Sequence, residues 1–156
     1  MSIKRRTFLK GSVATGALGF AIGAGLLKPS SVMAAWPSNA FDAKSANDAL
    51  SALFGSSNIQ AGDVKIKAPD IAENGAVVPV TVSTKVQNVE NISLLVEKNP
   101  QPLTCSFELK GNIDGFVSTR IKMGETSDII AVVKTADGSL ISAKKTVKVT
   151  IGGCGG

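Results

Sequence analysis

The residue best suited to chemistry in this sequence is Cys154, which lies between two pairs of glycines, Gly152 with Gly153 and Gly155 with Gly156. Glycine adds no bulk and widens the accessible backbone conformations, so the spacing predicts a thin, mobile strip that can enter a narrow pocket of another protein. A free thiol has a pKa of about 8.5 and is only a few per cent thiolate at pH 7. Since the sequence places no cation beside Cys154, we expect a partner's site to activate it. The pattern favours a carrier of covalently bound cargo over an enzyme.

The composition excludes several kinds of catalysis. The 156-residue chain contains no histidine. A Ser–His or Cys–His nucleophile pair is therefore impossible, and so is a histidine-based zinc site. We expect no activity from the chain alone, no bound metal and no cofactor. A single tail cysteine that merely links two chains by a disulfide is the alternative function.

The second cysteine, Cys105, has a different context. It alternates with polar residues in phase with Leu103, Phe107 and Leu109. We therefore expect Cys105 to point into the core, where free cysteine packs as a small apolar side chain. An oxidising compartment would also permit a disulfide between Cys105 and Cys154. The expected core position of Cys105 and the glycines on both sides of Cys154 argue against this disulfide.

The N-terminal segment predicts export. Arg5 and Arg6 begin a twin-arginine pattern that continues with Phe8, Leu9 and Lys10. The apolar run of residues 11–27 follows, which has the length of a secretory signal core. An ordinary secretory signal with two chance arginines and a retained membrane anchor are the alternatives.

Cleavage after Ala34, or after Ala35, would remove this segment, so we expect a mature protein in the periplasm with no membrane attachment. Five of the 17 Lys and Arg residues, and none of the 12 Asp and Glu residues, precede Ala34. The mature chain is therefore neutral, with 12 residues of each sign. It has no basic patch with interleaved aromatic residues, so we expect no nucleic acid partner.

Hydrophobic periodicity predicts the elements that must position the cysteines. Residues 42–54 have helical spacing, with Asp42 as the predicted cap and Gly55 as the end. Strand patterns follow, and Asp137 with Gly138 marks a hairpin; Pro79 suggests an edge or a bulge. The seven predicted strands cover residues 64–67, 77–86, 92–97, 103–109, 116–123, 129–134 and 140–151. We predict an all-β fold, an immunoglobulin-like antiparallel β-sandwich of about seven strands with an N-terminal helix, over residues 35–151.

Several motifs along the chain resemble those of a known family. They are the twin-arginine signal and residues 52–55, 67–75, 77–80, 95–100, 116–124 and 152–156. The chain is similar in these segments to SoxY, the sulfur-carrying subunit of the periplasmic thiosulfate-oxidising (Sox) system. The closing Gly-Gly-Cys-Gly-Gly is the most specific of them, and Cys105 is not part of the family motif.

The resemblance implies a function and partners. Cys154 would be the covalent attachment site for thiosulfate-derived sulfur, and Gly152, Gly153, Gly155 and Gly156 the swinging arm of residues 152–156. A c-type cytochrome partner would join thiosulfate to the thiol, and a manganese-dependent hydrolase would release sulfate. A molybdenum-haem partner, where one is present, would oxidise the remaining sulfane sulfur. The resemblance also implies a heterodimer with a SoxZ-like subunit, whose interface the sequence leaves open.

Two cations in the matching segment 116–124 have an open role. Arg120 and Lys122 can steer anionic sulfur species or a partner. The alternative is that they are simply solvated charges on a strand.

Overall fold

A computed structural model describes residues 37–111 and 113–151. Two short helices open this part of the chain, α1 (Ser38–Phe41) and α2 (Ala46–Phe54). The hydroxyl of Ser45 caps α2 by accepting a hydrogen bond from the backbone N–H of Asp48 at 3.1 Å. Gly55 ends α2 with φ 73°, as predicted, because glycine adopts the left-handed conformation without strain.

The prediction of one helix starting at Asp42 was wrong. Asp42 lies at the carboxyl end of α1, where its N–H donates to the carbonyl of Ser38 at 2.8 Å. The sequence has helical periodicity throughout residues 42–54. The Ser45 cap nevertheless starts a new helix at Ala46, four residues after Asp42.

Nine strands follow, and they include all seven predicted ones. They are β1 (Gln60–Ala61), β2 (Val64–Lys67), β3 (Ile71–Ala72), β4 (Val78–Thr84), β5 (Val89–Val96), β6 (Leu103–Glu108), β7 (Phe116–Ile121), β8 (Ser127–Thr135) and β9 (Leu140–Val149). The two unpredicted strands, β1 and β3, have two residues each and pair parallel to β9. A strand of two residues is too short to show an alternating hydrophobic pattern, so the sequence could not predict it.

The strands form two sheets that enclose a core. The smaller sheet has the order β2-β4-β7, and the larger has the order β1-β9-β8-β5-β6, with β3 also paired to β9. Apart from the parallel partners of β9, all pairings are antiparallel. The predicted immunoglobulin-like sandwich is confirmed. Its core contains, among others, Val78, Val80, Val82, Ile92, Leu94, Val96, Met123, Ile129, Val133 and Val147.

A second apolar cluster covers the outer face of the larger sheet. Ala49 and Leu50 of α2 and Ala40 of α1 pack there. The sheet contributes Leu95, Leu103, Ile130, Val132 and Leu140. The helices therefore cover the larger sheet on the side away from the sandwich core, and they leave the smaller sheet's outer face open.

A bulge between β5 and β6 separates two side chains that were predicted to share a face. Leu94 pairs with Cys105, whereas the next residue, Leu95, pairs with Leu103, so β6 has one extra residue here. Cys105 consequently packs on the sandwich core, and Leu103 packs under the helices. The predicted common phase of Leu103 and Cys105 was wrong, although the inward direction of Cys105 is confirmed.

The predictions for Pro79 and for the hairpin are confirmed. Pro79 lies opposite Arg120 of β7, and on its other side β4 has no partner because β2 pairs only with residues 81–84. The missing N–H of proline therefore costs no ladder hydrogen bond. Gly138 turns the β8–β9 hairpin with φ 85°, and its N–H donates to the carbonyl of Thr135 at 2.9 Å.

Candidate functional site

The cysteine with the strongest chemical signal lies outside the described residues. Cys154, its four flanking glycines and the signal arginines Arg5 and Arg6 all fall there, so their predicted roles stay predictions. What the structure shows is the place where the tail begins. We call Thr150 and Ile151, the last two described residues, the tail root.

The tail root is held by the chain segment between β3 and β4. The N–H of Thr150 donates to the carbonyl of Ala72 at 3.1 Å, and its hydroxyl donates to the carbonyl of Glu73 at 2.9 Å. The carbonyl of Ile151 accepts from the N–H of Gly75 at 2.8 Å. Three hydrogen bonds therefore fix the base of the tail on the sandwich up to residue 151.

The same segment connects the tail root to the end of β7. The carbonyl of Gly75 accepts from the N–H of Met123 at 2.8 Å. The side chain of Asn99 donates to the carbonyl of Lys122 at 2.9 Å and accepts from the N–H of Gly124 at 3.0 Å. Segments 67–75, 95–100 and 116–124 thus meet at the tail root, although they are far apart in sequence. The sequence motifs did not indicate that these three segments lie close together, because no local pattern records a contact between distant segments.

Exposed apolar side chains lie on the segments at this end. Ile71 is 58% exposed, Val77 is 56% exposed and Ile151 is 67% exposed. Ile71 belongs to the strand beside β9, and Val77 follows the Gly75 contact by two residues.

Three ion pairs lie around the tail root. Lys145 lies 3.0 Å from Asp70, Lys98 lies 3.9 Å from Glu125, and Lys144 lies 4.0 Å from Glu97, measured between nitrogen and oxygen atoms. Within the described part of the chain, Arg120 and Lys122 form no ion pair. Both are exposed.

Cys105 lies in a very different environment. It is partly buried against the sandwich core. Burial raises the pKa of the Cys105 thiol to about 11, and a hydrogen bond with the backbone of Leu94 opposes the rise. The group is a protonated thiol at neutral pH, which fits a structural role.

Other kinds of site are not found in residues 37–111 and 113–151. No group of three or more Cys, Asp or Glu side chains there could hold a metal ion. No helix in that part of the chain is long and apolar enough to span a bilayer. A cavity of about 710 Å³ opens at the end of the sandwich opposite the tail root, lined by residues 83–89 and by Gly111, Ile113, Asp114, Gly115 and Phe116.

Comparison with known proteins identifies the family. The family model for the sulfur oxidation protein SoxY matches residues 50–154, a range that ends on Cys154. The chain belongs to the SoxY family. The solved structure of the sulfur carrier protein SoxY from Chlorobium limicola f thiosulfatophilum is 44% identical, with a TM-score of 0.60. That match covers 67% of this chain and 94% of the other.

More distant structures share the fold alone. A superoxide reductase (neelaredoxin) from Ignicoccus hospitalis is 18% identical with a TM-score of 0.51, and the match covers 56% of this chain and 80% of that one. A putative superoxide reductase from Thermotoga maritima is 15% identical with a TM-score of 0.52, covering 58% and 93%. Among curated proteins, none matches the chain. The SoxY match therefore distinguishes this chain from other proteins with the same sandwich.

The Asn99 bridge gives a prediction for this SoxY-family chain. Replacing Asn99 with alanine removes both side-chain hydrogen bonds, and we expect the free energy of unfolding to fall by about 1–3 kcal/mol. Urea unfolding followed by circular dichroism measures it. Asn58→Ala is the matched control, since Asn58 is exposed and its side chain makes no hydrogen bond within the described residues. Equal stabilities of the two variants would contradict the bridging role.

The raised pKa of Cys105 predicts slow alkylation. At pH 8 we expect iodoacetamide to modify Cys105 about 100-fold more slowly than an ordinary exposed thiol of pKa about 8.5, because far less of it is thiolate. The rate should keep rising with pH toward 11, and in urea it should match that of a free thiol. Peptide mass spectrometry resolves the two cysteines. Alkylation of Cys105 in the folded chain at the rate seen in urea would refute the assignment.

Proposed function

We propose that this chain is a periplasmic carrier that binds thiosulfate-derived sulfur covalently on Cys154 and presents it to partner enzymes during oxidation to sulfate. The proposal rests on the SoxY family match, which runs through Cys154, and the 44%-identical relative is a sulfur carrier protein. The fixed tail root supports it, since it places the start of the tail at one end of a rigid sandwich.

The chemistry needs only a thiol from this chain. Loading forms one S–S bond between Cys154 and thiosulfate: R–SH + S₂O₃²⁻ gives R–S–S–SO₃⁻, one proton and two electrons. The c-type cytochrome partner takes the electrons. Hydrolysis by the manganese-dependent partner then adds water and gives R–S–S⁻, sulfate and two protons. In this scheme the chain is a carrier and not an enzyme, in agreement with the absence of histidine.

The remaining partners follow from the same proposal. A SoxZ-like subunit forms the heterodimer, and a molybdenum-haem partner, where present, oxidises the sulfane sulfur left on Cys154. Arg5 and Arg6 direct export by the twin-arginine route, which moves folded proteins and so allows a folded pair to cross together.

Intact-mass spectrometry tests the proposal. The exported chain is incubated with thiosulfate and its partner proteins, and the adduct is localised after trypsin digestion. Cleavage after Lys148 and Lys98 puts Cys154 and Cys105 on different peptides. We expect the added mass on the peptide of residues 149–156. A non-reducing gel run in parallel tests the alternative: quantitative disulfide-linked dimer with no sulfur adduct would mean that Cys154 is a tether.

A further inference from the structure

Four cations stand on the outer face of the smaller sheet. Lys65 and Lys67 point outward from β2 and Arg120 from β7, and Lys122 continues the same alternation beyond the end of β7. All four are exposed, and within residues 37–111 and 113–151 none of them forms an ion pair. Strands β2, β4 and β7 contain no Asp or Glu. Because both helices pack on the larger sheet, this positive face is open to a partner.

The strand register distributes these cations evenly along β4. Each outward residue of β4 has one cation beside it, the first two on the β2 side and the next two on the β7 side. In order along β4 the neighbours are Ser83 with Lys65, Thr81 with Lys67, Pro79 with Arg120 and, continuing beyond the paired residues, Val77 with Lys122. Successive outward residues of a strand are about 6.8 Å apart, so the row of cations is about 20 Å long.

The side chains between the cations are small, which leaves a shallow trough along β4. Pro79, Thr81 and Ser83 line its floor. The hydroxyl oxygens of Thr81 and Ser118 lie 3.1 Å apart and form a hydrogen bond. The larger apolar side chains of this face, Val77 and Phe116, lie at its two ends and are 56% and 55% exposed. The long cationic side chains therefore rise above the centre of the face.

The charges that border the face do not cancel these cations. At the Ser83 end the bordering groups are Asp63, Asp114 and Lys85, all exposed. The ion pairs at the other end are Asp70 with Lys145, Glu97 with Lys144 and Glu125 with Lys98. Glu73 and Lys148 also lie there, and neither forms an ion pair within the described residues. Two acids against one cation at the first end, and one unpaired group of each sign at the second, leave the face positive.

We propose that this face binds an extended acidic segment of a partner protein, which lies along β4 with alternate carboxylates on the four cations. Alternate residues of an extended chain recur every 6.4–6.8 Å, which is the interval between the cations. An anionic lipid surface is the poorer match, because the cations surround small polar side chains rather than the large apolar ones that enter a bilayer. The site goes beyond the carrier function and does not involve Cys154. It gives the chain a second contact surface, formed by the sheet itself.

Titration with two defined peptides, followed by nuclear magnetic resonance of the backbone amides, tests the site. The probe is the end-blocked peptide TETETETE, whose carboxylates have the spacing of the cations. The comparison peptide TTEEEETT has the same composition and charge, but an extended chain of it turns only half of its carboxylates to one side. We expect the shifts at low ionic strength to concentrate in β2, β4 and β7. TTEEEETT should bind about fourfold more weakly, a factor of about two for each exposed ion pair that it cannot form.

Removing equal numbers of charges on and off the face separates the arrangement of the cations from net charge. The face variant combines Lys65→Gln, Lys67→Gln, Arg120→Gln and Lys122→Gln. The matched control combines Lys44→Gln, Lys85→Gln, Lys110→Gln and Lys148→Gln, at cations that are also exposed and without an ion pair in the described part of the chain. We expect the face variant to bind TETETETE about tenfold more weakly and the control less than about twofold, with both differences vanishing in 1 M salt. Thermal unfolding verifies that each variant is folded.

Several results would overturn this site. They are unchanged peptide binding in the face variant, an equal loss in the control, and equal affinity for the two peptides. Binding of the wild-type chain to phosphatidylglycerol vesicles, lost in the face variant and without any response to TETETETE, would identify a lipid surface instead. Self-association of the face variant with peptide binding intact would mean that the cations only protect the edge strands β2 and β7 from pairing with other sheets.

Discussion

Replacing Cys154 with serine is expected to abolish covalent loading by thiosulfate and the partner proteins completely. Serine keeps the size of the side chain but its hydroxyl cannot form the S–S bond that loading requires. The other thiol cannot substitute, because burial raises the pKa of Cys105 to about 11 and leaves almost no thiolate at neutral pH. Intact mass after incubation measures the loss.

Cys105→Ser is the paired control for that experiment. It removes the other thiol of the chain and should leave the amount of adduct unchanged, provided that thermal unfolding shows the variant to be folded. Adducts that persist on the Cys154→Ser protein at the wild-type level would refute the carrier mechanism. Adducts lost from both variants would instead implicate both cysteines and refute the structural role of Cys105.

Shortening either of two adjacent leucines should destabilise different halves of the molecule. Leu94→Ala leaves a cavity between the two sheets, and Leu95→Ala leaves one beneath the helices, since both side chains are fully buried. Each should lower the free energy of unfolding by about 2–5 kcal/mol. Urea unfolding followed by circular dichroism measures this loss. Hydrogen exchange should show the amides of α2 opening first in the Leu95 variant.

Ile113→Ala provides the comparison, because Ile113 is 57% exposed and should change stability by no more than about 0.5 kcal/mol. A Leu95→Ala protein as stable as this control would contradict the packing of the helices on the larger sheet.

The sequence predicted the strands well. A strand that is buried on one face needs alternating apolar residues, and this alternation is visible in the sequence. β4 shows this, with Val78, Val80 and Val82 buried and Pro79 exposed. The bulge beside Cys105 was not predictable, because one extra residue in β6 changes the face of Leu103 without altering the local composition. The start of α2 at Ala46 was missed for a similar reason, since the cap at Ser45 decides where the helix begins.

The candidate site, like the fold, was predictable from the sequence only in part. Cys154 and its glycines are prominent in the sequence because no core packing explains them. The contacts of the tail root could not be predicted from the sequence. Gly75 binds Ile151 through the backbone, and Met123 binds Gly75 in the same way, so almost any sequence could supply these hydrogen bonds.

Under the proposed function, the hydrogen bond between Gly75 and Ile151 also limits every partner enzyme that reacts with Cys154. Because the backbone is held up to residue 151, a partner that reacts with Cys154 can bury its reactive centre only about 10 Å below the surface that meets the sandwich, plus the length of the side chain and its cargo. Deeper channels would demand that the β3–β4 segment detach. The carrier therefore selects its partners by the depth of their active sites as well as by their chemistry.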